Sequence, residues 1–183
     1  MNLKRYPIED GKLVIEIVLN DFHNLFDQRD PAPFREKDLD DDAVDYIVGS
    51  VKEMSIKRLG KLKVYLKQQV NSDLELMIVS AIHSFFDYEA DFMSLKIREI
   101  LQLGTKSLVI GISFLTFAVF VASTVKDISN DFWRLFLKEG MLLMGWVSMW
   151  KPLNIFLYEW WPMADTRKIY KCLSNVKVEV KER

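Results

Sequence analysis

The sequence has few of the residues from which most catalytic and metal centres are built. It holds one cysteine and two histidines among 183 residues. A single cysteine cannot form an internal disulfide, which suits a reducing compartment, and these three side chains do not make a zinc site of ordinary spacing. No glycine-rich phosphate loop, nucleophile elbow or His-Glu-x-x-His motif occurs. We therefore expect no enzymatic activity, no metal and no cofactor. The net charge of −1 gives the chain as a whole no preference for nucleic acid, so any such preference requires a local patch.

One long apolar run stands out against this background. Ser107–Thr124 holds 18 residues without a charge, and a helix of that length reaches about 27 Å, close to the hydrocarbon thickness of a bilayer. The alternative is the buried helix of a soluble protein, but a chain of 183 residues hardly supplies a core on every side of such a helix. The run predicts an integral membrane protein whose partner is the lipid bilayer.

The second apolar segment, Phe132–Trp150, contains charges. Only Gly140–Trp150 is free of them, and eleven residues are too few to span a bilayer. A full crossing would therefore carry Arg134, Lys138 and Glu139 into the membrane. The short connection to the first run would make the two helices antiparallel neighbours. The alternative is that this second segment lies in the membrane interface.

Basic residues are distributed unequally about the hairpin. The connecting loop offers only Lys126, whereas the flanks carry seven lysines and arginines. These are Lys96, Arg98, Lys106, Lys151, Arg167, Lys168 and Lys171. This asymmetry predicts that both termini are cytoplasmic and the loop is outside. The polar N-terminus has no apolar h-region, so we expect no signal peptide.

Aromatic residues collect where the chain would leave the inner leaflet. Pro152 is expected to end the second helix, and the segment beyond it has the composition of one lying flat at the interface. The predicted membrane-interface residues are Trp146, Trp150, Tyr158, Trp160 and Trp161.

The remainder of the chain has the patterns of a small α+β domain. Apolar residues alternate with period two in KLVIEIVL (12–19), KLKVYLK (61–67) and VKVEVKE (176–182), which predicts three strands. Asp40–Met54 has an amphipathic helical pattern with acidic residues at its N-terminus. Helix capping explains the run Asp38–Asp42 better than a divalent-metal site does. A longer helix is expected after Val70, started by a capping box of Ser72 and Glu75 and stopped at Gly104.

These elements predict an α+β membrane protein, with a small cytoplasmic sheet, covering helices and a two-helix transmembrane hairpin, assembled as an oligomer. We expect a cytoplasmic domain over 1–103, the hairpin over 104–151 and the interfacial aromatic segment over 152–163. Residues 164–183 are expected to form a helix and a strand that return to the cytoplasmic domain.

The charges of the second segment form the first candidate site. A charge deep in hydrocarbon costs a few kcal/mol on insertion scales, so it usually faces a water-filled cavity or a partner. Two helices cannot enclose such a group, which favours several subunits. The alternative is that the outer leaflet boundary falls near Glu139 and the charges snorkel. The pore or intramembrane candidates are Glu139, Lys138, Arg134, Ser113 and Thr116.

The second candidate site is a basic patch around the second predicted strand. Lysines that alternate with its apolar residues point to one face, where they can bind phosphates of oligonucleotides or anionic headgroups. The alternative is a solvated edge strand protected by lysine. The ligand-binding candidates are Lys57, Arg58, Lys61, Lys63, Tyr65 and Lys67.

Two longer signatures carry a resemblance. One is the loop DPAPFREKDLD over 30–40, followed by Tyr46-Ile47, and the other runs from Gly145-Trp146 through Trp150-Lys151-Pro152 to YEWWP over 158–162. Together they resemble a family of small bacterial membrane proteins with a cytoplasmic domain and a two-helix hairpin. The architecture is also similar to the channel receptor of Hailong-type anti-phage defence. That resemblance implies an oligomeric channel, a nucleotide or oligonucleotide ligand and a nucleotidyltransferase partner.

The expected function is a homo-oligomeric channel or membrane-disrupting effector of the bacterial inner membrane, gated by its cytoplasmic domain, in anti-phage defence. The alternative is a membrane-anchored adaptor without a pore. In that case the proline-containing loop Asp30–Phe34 would be its docking element.

Overall fold

A four-stranded mixed sheet organises the first part of the fold. The computed structural model describes residues 5–27, 30, 37–125 and 130–183. The strands are β1 (Ile8–Glu9), β2 (Lys12–Leu19), β3 (Leu59–Leu66) and β4 (Lys177–Glu182), in the order β1-β2-β3-β4. β1 pairs antiparallel with β2, whereas β2–β3 and β3–β4 are parallel. The predicted α+β class is confirmed.

The short strand β1 was not expected from the sequence. It joins β2 through Asp10 and Gly11, which have φ angles of +52° and +76°. An Asp-Gly pair with two positive φ angles is typical of the two-residue hairpin turn whose twist matches the flanking strands. This dipeptide was the local signal from which β1 could have been found.

The parallel strand pairs are joined by helical crossovers. α1 (Asp41–Met54) connects β2 to β3, and the Asp40 carboxylate accepts hydrogen bonds from the backbone N–H groups of Asp42 and Ala43 at its start. Capping by Asp40 accounts for an acidic residue at this position, as predicted. Short 3₁₀ helices at Phe22–Leu25 and Ile56–Arg58 lie within the connection between β2 and β3.

One face of the sheet carries the core. Its buried aliphatic residues alternate along the strands and pack against the inner faces of three helices. The fully buried helical contributors include Ile47 and Val51 of α1 and Ile78, Ile82 and Phe86 of the next helix, α2. The last helix before β4 adds Ile169 and Leu173.

The helix α2 (Ser72–Thr124) is longer than predicted at its C-terminal end and starts differently. Asn71, not Ser72, caps it, because the Asn71 side-chain oxygen accepts the N–H of Leu74 at 2.8 Å. The expected stop at Gly104 is wrong. A Cβ at Gly104 would lie 2.7 Å from Cγ2 of Ile155, so this glycine permits close packing rather than ending the helix.

Four helices follow from Asp131 onward. α3 (Asp131–Ser148), α4 (Trp150–Asn154), a π-helix (Ile155–Glu159) and α5 (Trp161–Leu173) follow one another. The interruption comes at Met149, three residues before Pro152. Pro152 therefore occupies the first turn of α4, where its missing N–H leaves no intrahelical bond unmade. α3 ends at Ser148, whose carbonyl a proline at position 152 cannot pair with, so the expected break is present, although the chain resumes a helix beyond it.

The chain divides into two compact units. The sheet unit comprises Met1–Met93 and Asp165–Arg183, and the helical unit comprises Ser94–Ala164. The first boundary thus falls ten residues before the predicted one, and the aromatic segment belongs to the helical unit. Residues 31–34 of the proposed docking loop (Asp30–Phe34) and Lys126 lie outside the described residues.

Within the described residues, α2 alone is long and apolar enough to cross a membrane by length and composition. The 18 residues of α3 include Asp131, Arg134, Lys138 and Glu139. With these four charges, α3 is not apolar enough to meet the same criterion.

Candidate functional site

Small residues bring α2 and α3 together in the helical unit. A Cβ on Gly111 would lie 2.9 Å from the backbone oxygen of Ser148, and one on Gly145 would lie 3.1 Å from the Ala118 Cβ. The Ser148 hydroxyl donates to the Gly145 carbonyl at 2.6 Å and lies 3.2 Å from the Gly111 carbonyl. Such contacts between small residues are typical of helices that pack closely in a membrane.

The outward faces of these helices are apolar and uncovered. Only 17% of the most apolar 18-residue window of α2 is buried. Large side chains along both helices are exposed, among them Ile110, Phe117 and Phe120 on α2 and Leu143 and Val147 on α3. A continuous apolar surface of this kind marks an interaction site or a lipid-facing surface, because scattered apolar residues alone do not produce it.

A cleft that contains three charged side chains lies near the C-terminal end of α2 and the start of α3. It has a volume of about 520 Å³ and is lined by Ala122, Val125, Asp131, Arg134, Leu135 and Lys138. Arg134 forms an ion pair of 2.5 Å with Asp131, and the Asn130 side chain caps α3 through the N–H groups of Phe132 and Trp133. The cleft therefore brings together two of the predicted intramembrane residues, Arg134 and Lys138.

The other three predicted intramembrane residues lie apart from this cleft. The hydroxyls of Ser113 and Thr116 donate to carbonyls of their own helix, those of Val109 and Ile112, at 2.8 Å. Glu139 is exposed and forms no ion pair with any described residue. The hydroxyls of Ser113 and Thr116 are thus hydrogen-bonded within α2.

The five predicted interface aromatics are all exposed. A polar contact joins α4 to the π-helix: the Glu159 carboxylate accepts hydrogen bonds from Lys151 at 3.1 Å and from the Asn154 amide at 2.5 Å. The Trp160 indole N–H donates to the carbonyl of Phe156 at 2.8 Å. The aromatic segment is thus held in place by its own polar groups while its rings face outward.

The polar face of the sheet is a network of alternating charge. Lys61 and Lys63 of β3 reach across β2 and form ion pairs with the carboxylate of Glu9, and the Lys61 contact is 2.6 Å long. Val14 of β2, the partner of Lys61 in the strand register, is fully buried beneath these side chains. On the other side, the Glu179 carboxylate of β4 forms ion pairs with Lys61 at 3.2 Å and with Lys177 at 2.8 Å. The Tyr65 hydroxyl donates to Glu16 at 3.2 Å.

The ionisation of this network follows from its contacts. Hydrogen bonds from Lys61 and Lys63 lower the pKa of the Glu9 carboxyl, and its carboxylate in turn raises the pKa of both lysines. The hydrogen bond from Lys177, aided by that from Lys61, outweighs partial burial and lowers the pKa of Glu179 to about 2. The two central lysines of the predicted ligand patch are therefore neutralised internally.

The outer members of the predicted patch are separated. Lys57 and Arg58 precede β3 and Lys67 follows it, and all three are exposed. An eight-residue strand spans roughly 26 Å, so these cations lie at opposite ends of the sheet. The acidic partners of the patch were not predicted from the sequence, although Glu16 and Glu179 follow the same period-two alternation as the lysines.

Neither histidine adds a chemical centre. The Nε2 of His83 lies 2.8 Å from the carbonyl of Val176, linking α2 to the turn before β4, and the Nδ1 of His23 lies 2.7 Å from Asp21. The described residues hold no group of three or more His, Cys, Asp or Glu side chains able to bind a metal.

Comparisons of the chain with protein-family models, with curated proteins and with solved structures give no match.

Proposed function

We propose that this protein is a homo-oligomeric membrane channel or membrane-disrupting effector that crosses the bilayer twice. The observation that carries the proposal is the exposure of Lys138 and Glu139 on a helix whose other exposed residues, apart from Asp131 and Arg134 in its first turn, are large and apolar. A charge facing hydrocarbon is costly, whereas one facing water or a neighbouring subunit is not. An assembly of several copies supplies both neighbouring subunits and a water-filled space between them.

The strand pairing supports two crossings. β4 is hydrogen-bonded to β3 in one sheet, and α2 leaves that unit while α5 returns to it. If the apolar part of α2 crosses the bilayer, the chain has to cross back before Asp165. Among the described helices between those points, α3 with 18 residues is long enough at about 27 Å.

The excess of basic residues beside the sheet unit favours the cytoplasm of a bacterial cell for that unit and for both termini. In this arrangement the sheet unit would control the assembly through a ligand with different affinities for the closed and open states. A nucleotide or oligonucleotide made by a nucleotidyltransferase in anti-phage defence is the ligand class that the resemblance implies.

The test combines oligomeric state with ion flux. Native mass spectrometry of the full chain should give a defined ring of four or more subunits. In proteoliposomes, Glu139→Gln should change the ratio of potassium to chloride flux by about threefold or more, because rings of charged side chains set selectivity. Glu99→Gln is the control, since Glu99 is also exposed but precedes the apolar run of α2.

A monomer or dimer would leave no route for ions between so few helices and would contradict the channel. Unchanged flux in Glu139→Gln, together with the same oligomer, would remove Glu139 from the ion path.

A membrane-anchored adaptor is the second candidate. The internal ion pairs of Lys61 and Lys63 favour it, because they reduce the free positive charge that a phosphate ligand would need for gating. Replacing the helical unit by an unrelated two-helix anchor separates the two functions: an adaptor would retain activity and a channel would lose it.

A further inference from the structure

A groove runs along α2 directly before its apolar run. Its volume is about 550 Å³, and its lining residues recur at helical spacing from Ser94 to Lys106, so they share one face of the helix. Arg98 and Lys106 supply positive charge there, and Ile97 and Leu101 form a half-buried apolar floor. None of the described residues lining the groove is acidic.

The two cations of the groove are available to a ligand. Both are exposed, and neither forms an ion pair with a described residue. They are eight positions apart, about 12 Å along the helix. A guanidinium presents a fork of donors that fits a phosphate, and an ammonium supplies a second point charge. The Thr105 hydroxyl is already used, since it donates to the Leu101 carbonyl at 2.9 Å.

The aromatic segment packs against α2 at the level of this groove. Gly104, on the adjoining face, packs so closely that an added Cβ would be 2.7 Å from Ile155 Cγ2 and 3.2 Å from the Phe156 ring. The exposed rings of Tyr158, Trp160 and Trp161 follow within a few residues. Tryptophan and tyrosine prefer the headgroup level of a bilayer, as do lysine and arginine. The exposed rings of the aromatic segment and the two basic side chains of the groove therefore both indicate that the groove lies at the membrane interface.

The apolar surface of the same helix face continues beyond the groove. Val109 and Ile112 lie on the stripe of Arg98 and Leu101, about two to four turns further on, and both side chains are at least half exposed. The surface thus changes from cationic to apolar along one line, which matches a phospholipid with its phosphate at Arg98 and Lys106 and its acyl chains along Val109 and Ile112.

We propose that this groove binds an anionic phospholipid through its phosphate headgroup. The inference rests on the proposed insertion of α2 in a membrane and adds the lipid class and the residues that select it. It does not depend on channel activity.

The test measures lipid selectivity of the full chain in detergent by native mass spectrometry, after addition of equal amounts of phosphatidylglycerol and phosphatidylcholine. Each basic residue near a membrane contributes about fivefold in affinity for anionic lipid, so wild-type protein should prefer phosphatidylglycerol by about tenfold or more. Arg98→Gln with Lys106→Gln should reduce the preference to about twofold or less.

Two controls make the result specific. Lys12→Gln with Lys52→Gln removes the same number of positive charges from exposed positions of the sheet unit and should leave the preference unchanged. Arg98→Lys with Lys106→Arg keeps the charges and should largely restore it. An equal loss in both neutral double variants, or no loss in either, would overturn the proposal. Displacement of the lipid by millimolar inorganic phosphate would also overturn it, because a free phosphate would then be the ligand.

A separate experiment distinguishes a failure of membrane insertion from a loss of lipid selectivity. Alkaline carbonate extraction of membranes from cells expressing each variant reports insertion without reference to lipid class. Protein extracted by carbonate would contradict the proposed function, whereas inserted protein without lipid selectivity would contradict only this inference.

Discussion

Single residues on the polar face of the sheet govern how the sheet unit responds to pH. Glu179 lies within 2.8 Å of Lys177, 3.2 Å of Lys61 and 3.5 Å of Lys181. Its carboxyl pKa of about 2 lies below the ordinary value of 4.5. A depressed carboxyl pKa stabilises the folded state above the unfolded value, and this contribution is lost as the pH falls toward the folded value.

Replacing Glu179 by Gln should therefore lower the stability of the sheet unit by about 1 kcal/mol at pH 7, since the site is partly open to solvent. It should also flatten the loss of stability between pH 4.5 and about 2. Denaturant unfolding of the detergent-solubilised protein across this range gives the measurement. Glu182→Gln, at the exposed end of the same strand, is the control, and an equal effect there would show that the ion-pair network is not responsible.

At the scale of elements, the contact between α2 and α3 depends on glycine. The Cβ of an alanine at position 111 would meet the Ser148 backbone oxygen at 2.9 Å, and backbone cannot move aside as a flexible side chain can. Gly140, on the same helix as Gly145, has nothing within 4 Å of its Cβ position.

Gly111→Ala should therefore destabilise the helical unit by about 1–3 kcal/mol, in the range of overpacked interiors. Gly140→Ala should be neutral or slightly stabilising, because alanine is the better helix former. Thermal unfolding followed by tryptophan fluorescence compares the two variants. The packing argument would be wrong if Gly140→Ala were the more damaging substitution.

For the whole molecule, the decisive feature is that β4 completes the sheet begun by β1 to β3. Both ends of the helical unit therefore connect to the sheet unit. If α2 crosses a bilayer, residues before and after the helical unit have to remain on the same side.

Single cysteines introduced at Lys57, Lys126 and Arg183 in a Cys172→Ser background test this topology. We expect a membrane-impermeant maleimide to label position 126 in intact spheroplasts and positions 57 and 183 only after lysis. Labelling of all three positions from one side would contradict a crossing by α2, and labelling of 57 and 183 from opposite sides would contradict the sheet.

The elements with strong periodicity could be predicted from the sequence. The alternation in 12–19, 61–67 and 176–182 identified three strands, and the apolar stripe after Asp40 identified α1, because these patterns repeat over a few residues. Gly104 was misinterpreted for the same reason. Glycine is locally a helix breaker, whereas the role of Gly104 is set by the close approach of Ile155.

The sequence by itself determined which segments are apolar, which strand residues share a face and where the charges of α3 lie, since each of these is a local property. Only the tertiary structure decided which charges remain available. Glu9 reaches Lys63 across 54 positions and Glu179 reaches Lys61 across 118, so the two central lysines of the predicted basic patch are neutralised by residues distant in the chain. Arg98 and Lys106 remain available to a ligand instead, because no acidic residue among those described is folded against them. Charge neutralisation acts over a few ångströms in space, and the fold alone sets those distances.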